Sequence, residues 1–255
     1  MAAGKTIPVK STRSASNRQA TFDFTPPRPR PFLADLPRRI DSYEEGVARF
    51  FQWRTGHDYY AAVDQLVEFV INTRRRKVVD LLADTATFSL RLAGSKSFEG
   101  RVYAFDNNIT LLERARQRAR HLKLDTVVEF LEFTEPRWPL PDCFADIAVS
   151  IFDLHRRDAG QFLSETIRIL VPEGYLLLAE MIEPKSQRNR MSLLWKRTVI
   201  RYLRKDPDES QGVYYDREEL VGLIFAAGFR QVVIQELRAP ATSHSGVLSL
   251  VAATK

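Results

Sequence analysis

Hydrophobic and polar positions in this chain follow two rhythms, and the change near Lys77 divides it. Residues 42–54 and 58–73 repeat apolar side chains at helical spacing. In the second stretch Tyr59, Ala62, Val63, Leu66, Phe69 and Val70 share one face. From Lys77 onward, short apolar runs alternate with amphipathic stretches. The pattern predicts strand 77–82, helix 86–94, strand 101–106, helix 109–122, strands 127–132 and 145–151, helix 158–170 and strand 174–181. Helices at 190–204 and 216–228 and strands near 231–238 and 246–254 complete the reading. Strands that alternate with helices imply parallel βαβ units and an α/β sheet.

Composition changes this picture only at the N-terminus. The 255 residues fit one large α/β domain or two small ones, and 44% hydrophobic with 27% charged is ordinary for a globular chain. No apolar run approaches the ~18 residues of a membrane span. The start lacks the apolar segment of a signal peptide, and Cys143 stands alone, so a cytoplasmic protein is expected. Lys5, Lys10, Arg13, Arg18, Arg28, Arg30, Arg38 and Arg39 outnumber Asp23 and Asp35 by six, which is the whole net charge of +6. Pro26-Pro27-Arg28-Pro29-Arg30-Pro31 favours extended backbone. Residues 1–40 are therefore expected to be a disordered or partner-docked basic arm on a domain spanning 41–255. The neutral remainder argues against a nucleic-acid surface beyond that arm.

The most telling stretch runs Val78-Val79-Asp80-Leu81-Leu82-Ala83-Asp84-Thr85-Ala86-Thr87-Phe88-Ser89-Leu90-Arg91-Leu92-Ala93. It reads as a nucleotide-binding strand, turn and helix without glycines. Such a turn normally holds glycine so that backbone can approach a ligand, but here Leu82, Asp84 and Ala86 stand in those places. Asp106, followed by Asn107, ends the next strand. An acid there can accept from both ribose hydroxyls, or it can simply cap the helix that begins near Thr110.

Further along, Leu140-Pro141-Asp142-Cys143-Phe144-Ala145-Asp146-Ile147-Ala148-Val149-Ser150 enters a fourth strand. Glu165-Thr166-Ile167-Arg168-Ile169-Leu170-Val171-Pro172-Glu173-Gly174 turns into a fifth, and Ala226-Ala227-Gly228-Phe229 precedes a sixth. With these in view, the chain resembles the class I S-adenosylmethionine-dependent methyltransferases over roughly residues 45–255. It is most similar to the ubiquinone/menaquinone C-methyltransferase-like group. The resemblance implies a Rossmann-like, seven-stranded, mostly parallel sheet with helices on both faces and an antiparallel last strand.

The resemblance also implies a cofactor, S-adenosyl-L-methionine, across the carboxyl ends of the first four strands. Asp80 would hold the methionine ammonium, and Leu82, Ala83, Asp84 and Ala86 occupy the glycine-rich loop. Asp106, with Asn107 beside it, would grip the ribose. Thr134 or Glu135 stands where an acid meets the adenine, and Ser150 would line the methionine side. Asp84 sets a carboxylate where the cofactor's own would come. At a few ångströms two such charges repel by about 1 to 4 kcal/mol. Leu82 and Ala86 would add side chains where the ligand normally packs close to backbone.

Phe152-Asp153-Leu154-His155 follows the fourth strand. His155 is the candidate general base with Asp153 as its orienter; the alternative is a surface histidine in a loop. No metal-ligand spacing occurs among the His and Cys residues. Within the segment 184–206, residues 185–205 carry eight basic side chains and no acid. On a helix, Met191, Leu194, Trp195, Val199 and Tyr202 share one face. This predicts a basic amphipathic lid over the acceptor, or a peripheral contact with anionic membrane; a packed helix with a solvated face is the plainer reading. The activity expected is methyl transfer to a small, lipophilic or aromatic acceptor. The alternative is a catalytically inactive methyltransferase-fold scaffold, docked to a protein partner through residues 1–40.

Overall fold

Local side-chain chemistry starts most helices of the computed structural model, which describes residues 7–10, 42–133, 137–183, 212–237 and 247–255. Helix α1 spans Ser42–Thr55 and α2 spans Tyr59–Thr73. Asp58 begins α2 by accepting the Ala61 N–H at 2.8 Å, the short polar side chain satisfying a helix-start donor. Strand β2 (Lys77–Leu81) leads to α3 (Thr87–Ala93), and β3 (Arg101–Asp106) leads to α4 (Ile109–His121). Asn108 caps α4, accepting from Thr110 and Leu111. Strands β4 (Val128–Glu132) and β5 (Ala145–Ile151) follow, then a short 3-10 turn at Leu154–Arg156. Asp158 caps α5 (Ala159–Ile169), and Asp216 opens α6 (Arg217–Ala226) in a reciprocal box with Glu219.

The remaining strands are β6 (Leu170–Ile182), β7 (Gln231–Leu237) and β8 (Val247–Thr254), with a short strand β1 at Ile7–Lys10. The sheet order is β1-β7-β8-β6-β5-β2-β3-β4. Strands β2 to β6 run parallel to one another, and β8 runs antiparallel to both β6 and β7. The seven strands from β2 to β8 thus form the mostly parallel sheet expected. Strand β1 is an addition: Ile7 to Lys10 pair antiparallel with Ile234 to Gln231. Those four residues form an edge strand within the expected arm. The rest of residues 1–40, the helix at 190–204 and the whole 184–206 segment lie outside the described residues.

Alternating side chains of the parallel strands enter two apolar layers, as strands buried on both faces require. Val78 and Leu177 face Leu66, Phe88 and Ala115 of α2, α3 and α4. Val79 and Leu176 face Phe162, Leu163, Leu220 and Ile224 of α5 and α6. One boundary differs from expectation, because β6 begins at Leu170 and not at 174. Leu170 pairs with Ala145, and the next paired residue, Tyr175, meets Ile147 across a bulge. Glycine is required at position 174 there: a Cβ would lie 2.8 Å from the Val171 carbonyl oxygen.

Strand β2 lies between β3 and β5, so successive connections leave it in opposite directions. A crevice opens at such a switch point, at the carboxyl ends of the strands. Register sets its floor, with Leu81 pairing with both Phe105 and Ser150.

Candidate functional site

Asp80, one residue before the end of β2, is buried, and its Oδ2 accepts from Ser89 of α3 through Oγ (2.6 Å) and N (3.3 Å). Burial outweighs these bonds and raises its carboxyl to about 7. The turn that follows keeps the backbone of a glycine-rich loop without a glycine. Leu82, Asp84 and Ala86 have φ of 54°, 47° and 56°. Each non-glycine residue held there costs about 1 kcal/mol or more, so surrounding contacts must impose the shape. The Ala83 N–H donates to the Phe105 carbonyl at 3.0 Å, and the Asp84 N–H donates to Asp106 Oδ2 at 2.9 Å.

The side chains correct one expectation. Leu82 packs in the apolar layer with Phe105, Phe133 and Trp138, and Ala86 is fully buried in the opposite layer. Both are part of the interior. Asp84 differs, being only partly buried. Burial and the neighbouring Asp106 raise its carboxyl to about 6, while Arg156 opposes the rise and the Tyr43 hydroxyl, 3.4 Å away, donates to it.

Asp106 does not cap α4, because Asn108 does. Its Oδ1 accepts the Asn108 N–H at 2.7 Å while Oδ2 holds the turn. A carboxylate oxygen has two lone pairs, so each can accept once more. Asn107 is exposed beside it. Ser150 is 1% exposed, and its Oγ has no hydrogen-bond partner among the described residues. A buried hydroxyl left unpaired at the end of a strand is costly without a ligand or water. Thr134 and Glu135 lie outside the described residues.

Beyond β5 the backbone bends sharply, with Phe152 at φ 64°. Asp153 is buried and held well above the usual carboxylate range by burial and by Asp84. Asp80, Asp84, Asp106 and Asp153 therefore share one electrostatic neighbourhood, with Arg156 as a counter-charge.

His155 is not a surface histidine, being 1% exposed. Its Nδ1 lies 2.9 Å from Oε1 of Glu180, which also accepts the Met181 N–H. The carboxylate at hydrogen-bonding distance from the ring is Glu180 of β6, in place of the expected Asp153. An ionised Glu180 would accept a proton held on Nδ1. The ring stacks on Tyr214 at 4.7 Å and 15°. The other face of this neighbourhood holds Arg54, also 1% exposed, 4.7 Å above the Tyr214 ring. Tyr43, Arg54, Ser89, Arg156 and Glu180 carry no motif of their own. Ser89 lies in the first turn of α3, within reach of Asp80.

The acids, the strained turn and the orphaned Ser150 hydroxyl fit a nucleoside with a cationic amino-acid tail. Asp80 suits an ammonium, Asp106 suits hydroxyl donors and Ser150 supplies a polar contact. A tail carboxylate would meet Asp84, whose field the Arg156 counter-charge partly offsets.

Comparison with known proteins accords with this geometry. A methyltransferase domain model matches residues 78–174. The ubiquinone/menaquinone biosynthesis C-methyltransferase UbiE of Serratia proteamaculans is 26% identical over 171 residues, covering 62% of this chain and 68% of that protein. UbiE of Klebsiella pneumoniae strain 342 is 28% identical over 178 residues, with 65% and 71% covered. The crystal structure of an S-adenosylmethionine-dependent methyltransferase from Aquifex aeolicus has the same fold, with a TM-score of 0.52. It is 20% identical and covers 76% of this chain and 97% of that one.

Proposed function

We propose that this chain, which belongs to the class I S-adenosylmethionine-dependent methyltransferases and is related to the UbiE-like proteins, transfers a methyl group to a small lipophilic or aromatic acceptor. The acceptor sits over the carboxyl ends of β5 and β6. The bound cofactor supplies an electrophilic methyl on a sulfonium, so alignment accounts for most of the acceleration. Asp80 holds the ammonium, whose charge draws its carboxyl toward the ionised form. Asp106 holds the ribose, and Ala83, Asp84 and Ser150 line the methionine side. His155, oriented through Nδ1 by Glu180, removes the acceptor's proton when the acceptor is not already ionised. The basic segment 185–205 covers the acceptor or rests on an anionic lipid surface, and residues 1–40 dock a protein partner.

One observation carries this reading: the loop after β2 keeps three left-handed residues at a cost in strain although none is glycine. That shape supports an active cofactor turn over a silent scaffold. Calorimetric titration with S-adenosylhomocysteine tests it. Binding on the order of micromolar is expected, weakened about 10-fold or more by Asp106→Ala. No heat at about millimolar ligand refutes it.

A further inference from the structure

The buried guanidinium of Arg54 sits over an aromatic platform with two donors unused. It lies 4.7 Å from the Tyr214 ring centroid and 6.0 Å from that of Phe50. Tyr214 stacks in turn on His155, the proposed base. Backbone bonds fix this platform: Val213 N–H donates to the His155 carbonyl at 2.7 Å, and Glu183 N–H donates to the Tyr215 carbonyl at 3.0 Å. Arg54 therefore faces the proposed acceptor side of the crevice, above the ends of β5 and β6.

Its nearest counter-charge is Glu183, with Oε1 3.6 Å from Nη2, too far for a hydrogen bond. Nε and Nη2 have no hydrogen-bond partner among the described residues. These two nitrogens form one edge of the guanidinium plane. That edge grips a carboxylate through two parallel bonds. A cation taken from water with these donors unpaired carries a penalty that a counter-charge at 3.6 Å offsets only in part. A purely structural pair would close to hydrogen-bonding distance along that edge, whereas this one stays open.

We propose that Arg54 is the specificity-determining residue for the acceptor, and that the acceptor is a flat molecule carrying a carboxylate. The carboxylate docks on the Nε and Nη2 edge, and the ring packs along Tyr214 and Phe50. Glu183 neutralises Arg54 in the empty site and competes with the incoming carboxylate. This inference rests on the methyltransferase reading, and its test separates the two.

The test titrates the full chain, saturated with S-adenosylhomocysteine, with benzoate and with its neutral isostere benzamide. Benzoate is expected to bind about 10-fold or more tightly than benzamide. Arg54→Gln should abolish that preference, and Arg54→Lys should restore only part of it. Glu183→Gln should tighten benzoate by removing its competitor, an effect that a purely structural pair does not produce. If Arg54→Gln folds poorly, the double variant Arg54→Gln/Glu183→Gln removes both buried charges and answers the same question. Equal affinity for the two probes, failure of both to bind at about 10 mM, or an unchanged preference in the variants overturns the proposal. S-adenosylhomocysteine binding is expected within about twofold in every variant, and its absence in the wild type refutes the methyltransferase reading instead.

Discussion

Replacing Asp80 by asparagine is expected to stabilise the ligand-free protein at alkaline pH while it weakens the cofactor site. Asp80 is 3% exposed, and burial raises its carboxyl to about 7. In an unfolded chain it titrates near the ordinary value of about 3.9. The folded state therefore holds the proton more tightly. Stability from this group is full below about pH 4 and is lost as pH rises through about 7. A displacement of about three pH units corresponds to about 4 kcal/mol. Through Asp80→Asn the neutral form becomes permanent, and the amide oxygen still accepts from Ser89. The amide N–H₂ lacks an assured partner, which costs about 1 kcal/mol. The variant should thus exceed wild type by about 2 to 3 kcal/mol at about pH 8.5, and the gap should shrink by about 2 to 3 kcal/mol at about pH 5. Urea denaturation of both proteins at the two pH values measures this directly. A gap that does not change with pH, or a wild type more stable at both, refutes the argument that burial of a charge governs Asp80.

Three further outcomes follow from the turn and the sheet edge. Asp84→Gly relieves a left-handed residue and removes a carboxylate, so S-adenosylhomocysteine affinity should rise about 5-fold or more by calorimetry. Leu82→Gly relieves the same strain but vacates the layer shared with Phe105 and Trp138. Thermal unfolding should show a net loss of about 1 to 3 kcal/mol, with cofactor affinity little changed. Removing residues 1–10 takes β1 from the edge of β7. The melting temperature should fall by about 2 to 4 °C with cooperativity kept, since four edge residues contribute only about 1 kcal/mol net.

The sheet was legible because its evidence is local. The apolar runs that became β2, β3 and β5 are buried on both faces, and such strands need continuous hydrophobic sequence. Asp58, Asp158 and Asp216 announce helix starts within three residues of their partners. The start of β6 was not legible, because the pairing of Leu170 with Ala145 is a contact between distant segments. Strand β1 was hidden for the same reason: Ile7–Lys10 lies in a polar, basic stretch and gains its partner only from β7.

The site divides along the same line. That Asp80, Asp106 and Ser150 lie together could be read from the chain because each stands at or next to a strand's end, and parallel strands bring their carboxyl ends together. Residue identity also exposed the missing glycines at 82, 84 and 86. Side-chain direction decided what those replacements mean. Leu82 and Ala86 turn into the two apolar layers, and Asp84 alone of the three sets a carboxyl near Asp106. Orientation across a sheet depends on which layer covers each face, and no local pattern in a turn encodes that. Glu180 as the partner of His155, and Arg54 above Tyr214, belong to the same class. They are 25 and 160 residues from the side chains they meet, so only the closed fold brings their chemistry together.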